Sequence, residues 1–323
     1  MVVEHFFDNF LVALAERHPR KTDLVNALME ILPLERESIY RRLRKDVLFT
    51  SEEIVQISSA WNISLDNIIS SNPGKTKPFS LSMIEYINPQ EADYKLFEGY
   101  NRMLEVIGKD PDGRIIEITG SMPGSWYNQY ENLTRFFTMR WLYKYNMPDN
   151  YVMFSDIRIP ERMRALEREY VDLIHNIPEV YAVHELHFIE HLISQIHYFR
   201  SIRLLTEDEV TSLRDELLDL VNKMESVAIK GYFPDTGKKY FLYLSHAGLE
   251  AEYFLYESKS LSMSMVRVLE RNGITSFDKK VFQKFTNMFE AVKRLSVLVS
   301  VSNTLQRAEF FTRQKNLIMS LNN

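Results

Sequence analysis

The sequence predicts a mainly α-helical protein: an N-terminal five-helix domain, then a helix-dominated α+β region with a small antiparallel sheet. Three observations predict it. Apolar residues recur at helical spacing through the first 70 residues and much of the remainder. The run Ser70-Ser-Asn-Pro-Gly-Lys-Thr-Lys-Pro78 contains no apolar residue and gathers Ser, Asn, Pro and Gly, which reads as a linker. Between residues 226 and 258 the pattern turns to Tyr, Phe and β-branched residues punctuated by turn signals. At about 100–200 residues per domain, a chain of 323 residues accommodates this division. The expected organisation is a domain over 1–70, a linker over 71–78 and a helix-dominated α+β region over 79–323.

In the first domain, Phe6, Phe7, Phe10, Leu11 and Leu14 follow helical spacing, and His18-Pro19 ends that helix. Thr22 is placed to cap a second helix with Leu24, Val25, Leu28 and Ile31 on its buried stripe, and Pro33 breaks it. A third helix is expected near Arg36–Lys45, with Ile39, Tyr40 and Leu43 apolar. Thr50 or Ser51 caps a fourth, Glu53 standing at capping-box spacing from Thr50, with Ile54, Ile57 and Trp61 facing inward. Asn62 closes it, and Ser64 caps a short fifth helix carrying Leu65, Ile68 and Ile69.

Beyond the linker, residues 90–108 form a helix with Tyr94, Phe97, Met103, Leu104 and Ile107 as its stripe. The turn Asp110-Pro-Asp-Gly113 leads to a strand over 114–119. Helices are expected over 126–145, 160–175, 178–202 and 206–224. Segments 226–233, 239–246 and 251–258, separated by Pro234-Asp-Thr-Gly237 and Gly248, read as an antiparallel meander. Residues 276–321 return to helix in two pieces meeting near Ser300–Asn303, and Phe282, Phe285, Phe289, Val292 and Leu295 there are candidates for a dimer surface.

Composition narrows the chemistry. The absence of cysteine excludes disulfides, thiolate nucleophiles, zinc fingers and iron–sulfur sites. The formal charge of −5 provides no global basic field, so any nucleic-acid contact needs a local patch. Glu4 and Asp8 interrupt the N-terminus, so no signal peptide is read, and no apolar run of about 18 residues occurs; a cytoplasmic protein with no membrane partner is expected.

The local patch lies in the third helix, Arg36-Glu-Ser-Ile-Tyr-Arg-Arg-Leu-Arg-Lys45. Ile39 and Leu43 face inward and leave Glu37, Ser38, Arg41, Arg42, Arg44 and Lys45 on the outer arc. Arginine suits both bidentate pairing to a guanine edge and phosphate clamping. Residues 1–70 nevertheless hold eight Lys/Arg against eleven Asp/Glu, so the positive charge is confined to one edge.

The next segment reads Phe49-Thr-Ser-Glu-Glu-Ile-Val-Gln-Ile-Ser-Ser-Ala-Trp-Asn-Ile-Ser-Leu-Asp-Asn-Ile68. With its capped helix and the ending Asn62-Ile-Ser-Leu-Asp66, it resembles the λ-repressor/Cro-like (Xre-type) helix–turn–helix family over about residues 4–70. Pro33 stands where that family has a turn glycine. The resemblance implies a five-helix λ-repressor-like domain and a sequence-specific transcriptional regulator, not an enzyme. It needs no cofactor, binds double-stranded DNA as a homodimer, and answers to a small-molecule or peptide effector through its C-terminal region. The DNA-binding residues it implies are Glu37, Ser38, Tyr40, Arg41, Arg42, Arg44 and Lys45, with Lys21 and Thr22 from the preceding helix.

Competing signals are weaker. In His184-Glu-Leu-His-Phe-Ile-Glu-His191, a helix would put His184, His187 and His191 on one face, a candidate metal site for a sensor or enzyme. The bland alternative is an amphipathic helix with hydrogen-bonded histidines. The aromatics Trp126, Tyr127, Tyr130, Phe136, Phe137, Trp141, Tyr143 and Tyr145 could line a pocket, but helical spacing of aromatics more often marks core. Gly120-Ser-Met-Pro-Gly124 lacks the lysine of a phosphate loop. A helical peptide-binding scaffold would show a repeat, and none is visible.

Overall fold

A computed structural model describes residues 2–18, 20–61, 63, 65, 68, 79–145 and 153–322. The chain divides into two compact units, Met1–Pro78 and Phe79–Asn323. The expected linker, residues 71–78, lies outside the described residues.

The first unit contains α1 (Val2–Arg17), α2 (Lys21–Ile31), α3 (Arg36–Leu43) and α4 (Ser51–Trp61). Most of the expected fifth helix falls outside the described residues. Each helix contributes an apolar stripe to one core, in which Phe10, Leu14, Val25, Leu28, Ile39 and Ile57 are fully buried. The start of α4 has the expected reciprocal cap: Glu53 N donates to Thr50 Oγ1 at 3.2 Å and Thr50 N donates to Glu53 Oε2 at 3.0 Å. At α2 the cap differs from expectation. Arg20, not Thr22, occupies the capping position, and no side chain caps the helix.

In the second unit the helices are α5 (Glu91–Lys109), α6 (Gly124–Tyr127), α7 (Glu131–Tyr145), α8 (Glu161–His175), α9 (Phe188–Ser201), α10 (Glu207–Lys230), α11 (Lys279–Arg294) and α12 (Thr304–Met319). The strands are β1 (Ser80–Ser82), β2 (Arg114–Thr119), β3 (Glu179–Glu185), β4 (Lys239–Ser245), β5 (Tyr253–Glu257), β6 (Ser262–Val268), β7 (Asn272–Ser276) and β8 (Ser296–Leu298). They form one eight-stranded sheet in the order β1-β7-β6-β5-β2-β3-β4-β8. Strands β2, β3 and β4 pair in parallel, Ile115 opposite Val180 and Val180 opposite Tyr240; the remaining pairs are antiparallel.

The sheet is therefore large and mixed, a correction to the small antiparallel meander expected. The parallel pairing explains the misreading of residues 178–202 as helix: the first part is β3. Parallel strands covered on both faces lack the alternation that marks a half-exposed strand. Val180, Ala182 and Val183 are all buried, and consecutive residues serve opposite faces. Val180 and Ala182 join the core that includes Ile115, Leu242 and Phe254, whereas Val183 joins Ile116, Ile118 and Leu255.

Two further elements differ. Residues 226–230, expected as strand, continue α10, because Val221, Met224, Val227 and Ala228 carry its buried stripe onward to Gly231. The helix expected over 126–145 is two, α6 and α7, separated at 128–130. The candidate dimer surface is mostly internal: Phe282 and Phe289 are buried against the sheet, and Phe285 and Val292 pack beside them. Leu295 remains exposed.

Candidate functional site

The segment expected as a helix–turn–helix comprises α2 and α3. Leu24, Val25 and Leu28 anchor α2, buried Leu32 ends it, exposed Pro33 lies in the turn, and Ile39 anchors α3. α3 stops at Leu43, short of the expected Lys45, because Lys45 takes a left-handed conformation with φ of 65°. Lys45 N donates to Arg42 O at 3.0 Å and Asp46 N to Arg41 O at 2.9 Å. That pair of bonds is a Schellman closure, with a lysine where glycine is usual.

The side chains of this arc are mostly occupied. Arg42 donates through Nε and Nη2 to the Glu53 carboxylate and through Nη1 to Ser38 O at 3.3 Å. Both members of the ion pair are largely buried, at 13% and 14% exposure. Burial would raise the Glu53 carboxyl, but hydrogen bonds from Arg42 and Thr50 outweigh it and hold it below its ordinary value. Arg44 bonds Asp46 at 2.9 Å and Glu37 at 3.0 Å, both exposed. Lys45 pairs with Asp8 of α1, and Arg36 donates to Asn26 Oδ1 at 2.7 Å.

Arg41 differs: it is exposed and its side chain has no partner, acidic or neutral, among the described residues. Lys21 is exposed as well, its ammonium 5.6 Å from the Tyr40 ring centroid, which places the start of α2 beside α3. Thr22 is exposed, and Ser38 and Tyr40 are half-buried. The run of four cations between Arg41 and Lys45 thus contains one that is unpaired. Arg20, directly before α2, is exposed and its side chain has no partner among the described residues.

The three histidines do not share a helical face. His184 lies in β3, His187 immediately precedes α9, and His191 is in α9. His184 is fully buried, its Nδ1 3.0 Å from Thr119 Oγ1, and burial pushes its pKa down to about 3, so it is neutral. His187 Nδ1 pairs with Glu190 at 3.0 Å, and His191 is exposed. No group of three or more His, Asp or Glu among the described residues is placed to hold a metal ion. Of the aromatic cluster, Trp126, Phe136, Phe137 and Trp141 are core residues, with Trp126 Nε1 donating to Tyr240 Oη at 3.1 Å.

No helix among the described residues is long and apolar enough to cross a membrane. No known protein family, curated protein or solved structure matches the chain.

Proposed function

We propose that the first unit binds double-stranded DNA through α3 and the start of α2, and that the protein is a transcriptional regulator whose second unit senses an effector or self-associates. The observation that carries this reading is Arg41, a solvent-exposed guanidinium without an acidic partner on the outer face of a short helix that follows a tight turn. A helix so presented suits the major groove, and a lone guanidinium suits a guanine edge or a phosphate. Lys21 and the free amides at the start of α2 suit an adjacent phosphate. Arg44 and Lys45 hold exposed carboxylates, an arrangement that phosphate can replace at little cost. Arg42 is excluded from the contacting set by its internal pairing. Helix–turn–helix proteins read paired half-sites, so a homodimer belongs to the proposal.

The test is selection of bound duplexes from a random library, followed by titration of the best sequence with wild type and Arg41→Ala. The variant is expected to bind more weakly and to lower the salt slope by about one. A wild-type protein indifferent to every duplex at low salt overturns the reading.

A further inference from the structure

The second unit contains a cavity of about 110 Å³, bounded by β5, β6 and β7 and by α5, α6 and α8. Its walls include Tyr127, Tyr170, Tyr256 and Met265, and Arg267, Arg271 and Asn272 also line it.

The charges around this cavity do not balance. Arg271, 5% exposed, pairs with Glu167, and its Nη1 donates to Thr138 Oγ1 at 2.7 Å. The same fully buried Glu167 also accepts from Arg164 Nη1 at 2.7 Å, so two guanidinium groups share one carboxylate. Arg140 and Lys144 likewise share Glu270. Arg267 has Glu252 at 3.0 Å. Lys144 is half-exposed, so four largely buried guanidinium groups face three carboxylates and Glu117, whose own carboxyl burial pushes up to about 7. A buried charge without a counter-charge is costly, and an anion would remove that cost.

A second observation marks the place. Asn272, 4% exposed, accepts from Ile84 N through Oδ1 at 2.8 Å, which fixes the orientation of its amide. Its Nδ2 is buried and has no hydrogen-bond partner among the described residues. Buried donors of this kind are normally satisfied, and the charge surplus says by what.

We propose that this cavity binds a small organic monoanion: a carboxylate that accepts from Asn272 Nδ2 and offsets the excess guanidinium charge, on a compact apolar body held among the tyrosines and Met265. The body is smaller than a benzene ring, since benzene takes an apolar cavity of roughly 150 Å³ and this one measures about 110 Å³. An inorganic anion would leave the aromatic walls unfilled. The inference gives a chemical class to the sensing role proposed above, yet it stands on residues of the second unit alone.

The test uses the full chain and makes no use of DNA, so its failure is distinguishable from failure of the DNA reading. Thermal melting and calorimetry are run with butyrate and isobutyrate, each against its own amide, with sulfate as the inorganic control. The carboxylates are expected to raise the melting temperature and to bind at millimolar concentration, and the amides and sulfate to leave it unchanged. Asn272→Asp keeps an oxygen for Ile84 N, removes the unpartnered donor and supplies the missing negative charge. That variant is expected to fold at least as stably as wild type and to bind the carboxylates at least about tenfold more weakly. The proposal is overturned if neither carboxylate binds, if amide or sulfate shifts melting equally, or if the variant is less stable or binds as wild type does.

Discussion

Arg42 and Glu53 meet side-on, the guanidinium Nε and Nη2 donating to Oε2 and Oε1 at 2.8 and 2.7 Å, and this contact ties α3 to α4. Glu53 also closes the cap of α4 through Thr50 N. Arg42 is thus an internal brace, and Arg41 is left exposed with no side-chain partner among the described residues.

Arg42→Ala is expected to destabilise the first unit by about 2 kcal/mol, since it strands a largely buried carboxylate. Hydrogen exchange of α3 and α4 amides in the full chain measures it; Arg41→Ala should leave those amides within about 0.5 kcal/mol of wild type. Because Glu53 is held below its ordinary pKa, its contribution is present above the unfolded value and lost as pH falls through the folded one. Arg42→Ala should therefore also flatten the acid limb of the stability profile. Unchanged exchange would show that the contact contributes nothing.

Glu117 carries the opposite sign. Burial pushes its carboxyl up to about 7, so the folded chain holds a proton that the unfolded chain has released. Stability of the second unit should fall as pH rises from the ordinary glutamate value through about 7, by about 3 kcal/mol. Glu117→Gln, neutral at every pH, should abolish that slope and exceed wild type in urea melts above about pH 8. Parallel pH profiles for the two proteins would refute the assignment.

Gly231 ends α10 at φ of 75°, and a Cβ there would lie 2.3 Å from Val301 Cγ2. Gly231→Ala therefore meets both backbone strain and a clash, and should cost more than about 1 kcal/mol in chemical denaturation. The double variant with Val301→Ala should recover the steric part and leave the backbone part. A Gly231→Ala chain as stable as wild type would contradict the geometry.

The starts of α4 and α10 were legible because capping is local, whereas Thr22 does not cap α2. The reciprocal bonds of Thr50 with Glu53 span three residues, as do those of Thr206 with Glu209 at α10. The strand over 114–119 was legible through its turn and β-branched run. The residues 179–185 were not, because a strand buried on both faces carries no period-two signature. The short strands β1 and β8 and the hairpin of β6 with β7 carry little apolar pattern of their own and exist through their neighbours.

The candidate surface divides in the same way. Residue order alone places Arg41 and Arg42 on one short helix with Arg44 and Lys45 directly after it, and 3.6-residue periodicity turns Ile39 away from the helical pair. Which of those cations stays free depends on acids brought in from elsewhere: Asp8 from α1 and Glu53 from α4. The cavity is further still from local reading, since Arg271 meets Glu167 across 104 positions and Ile84 meets Asn272 across 188. Spacing within one element is set by covalent geometry and so is written in the chain order. Pairing across a sheet and neutralisation of buried charge arise only when packing excludes water, and that the folded chain alone decides.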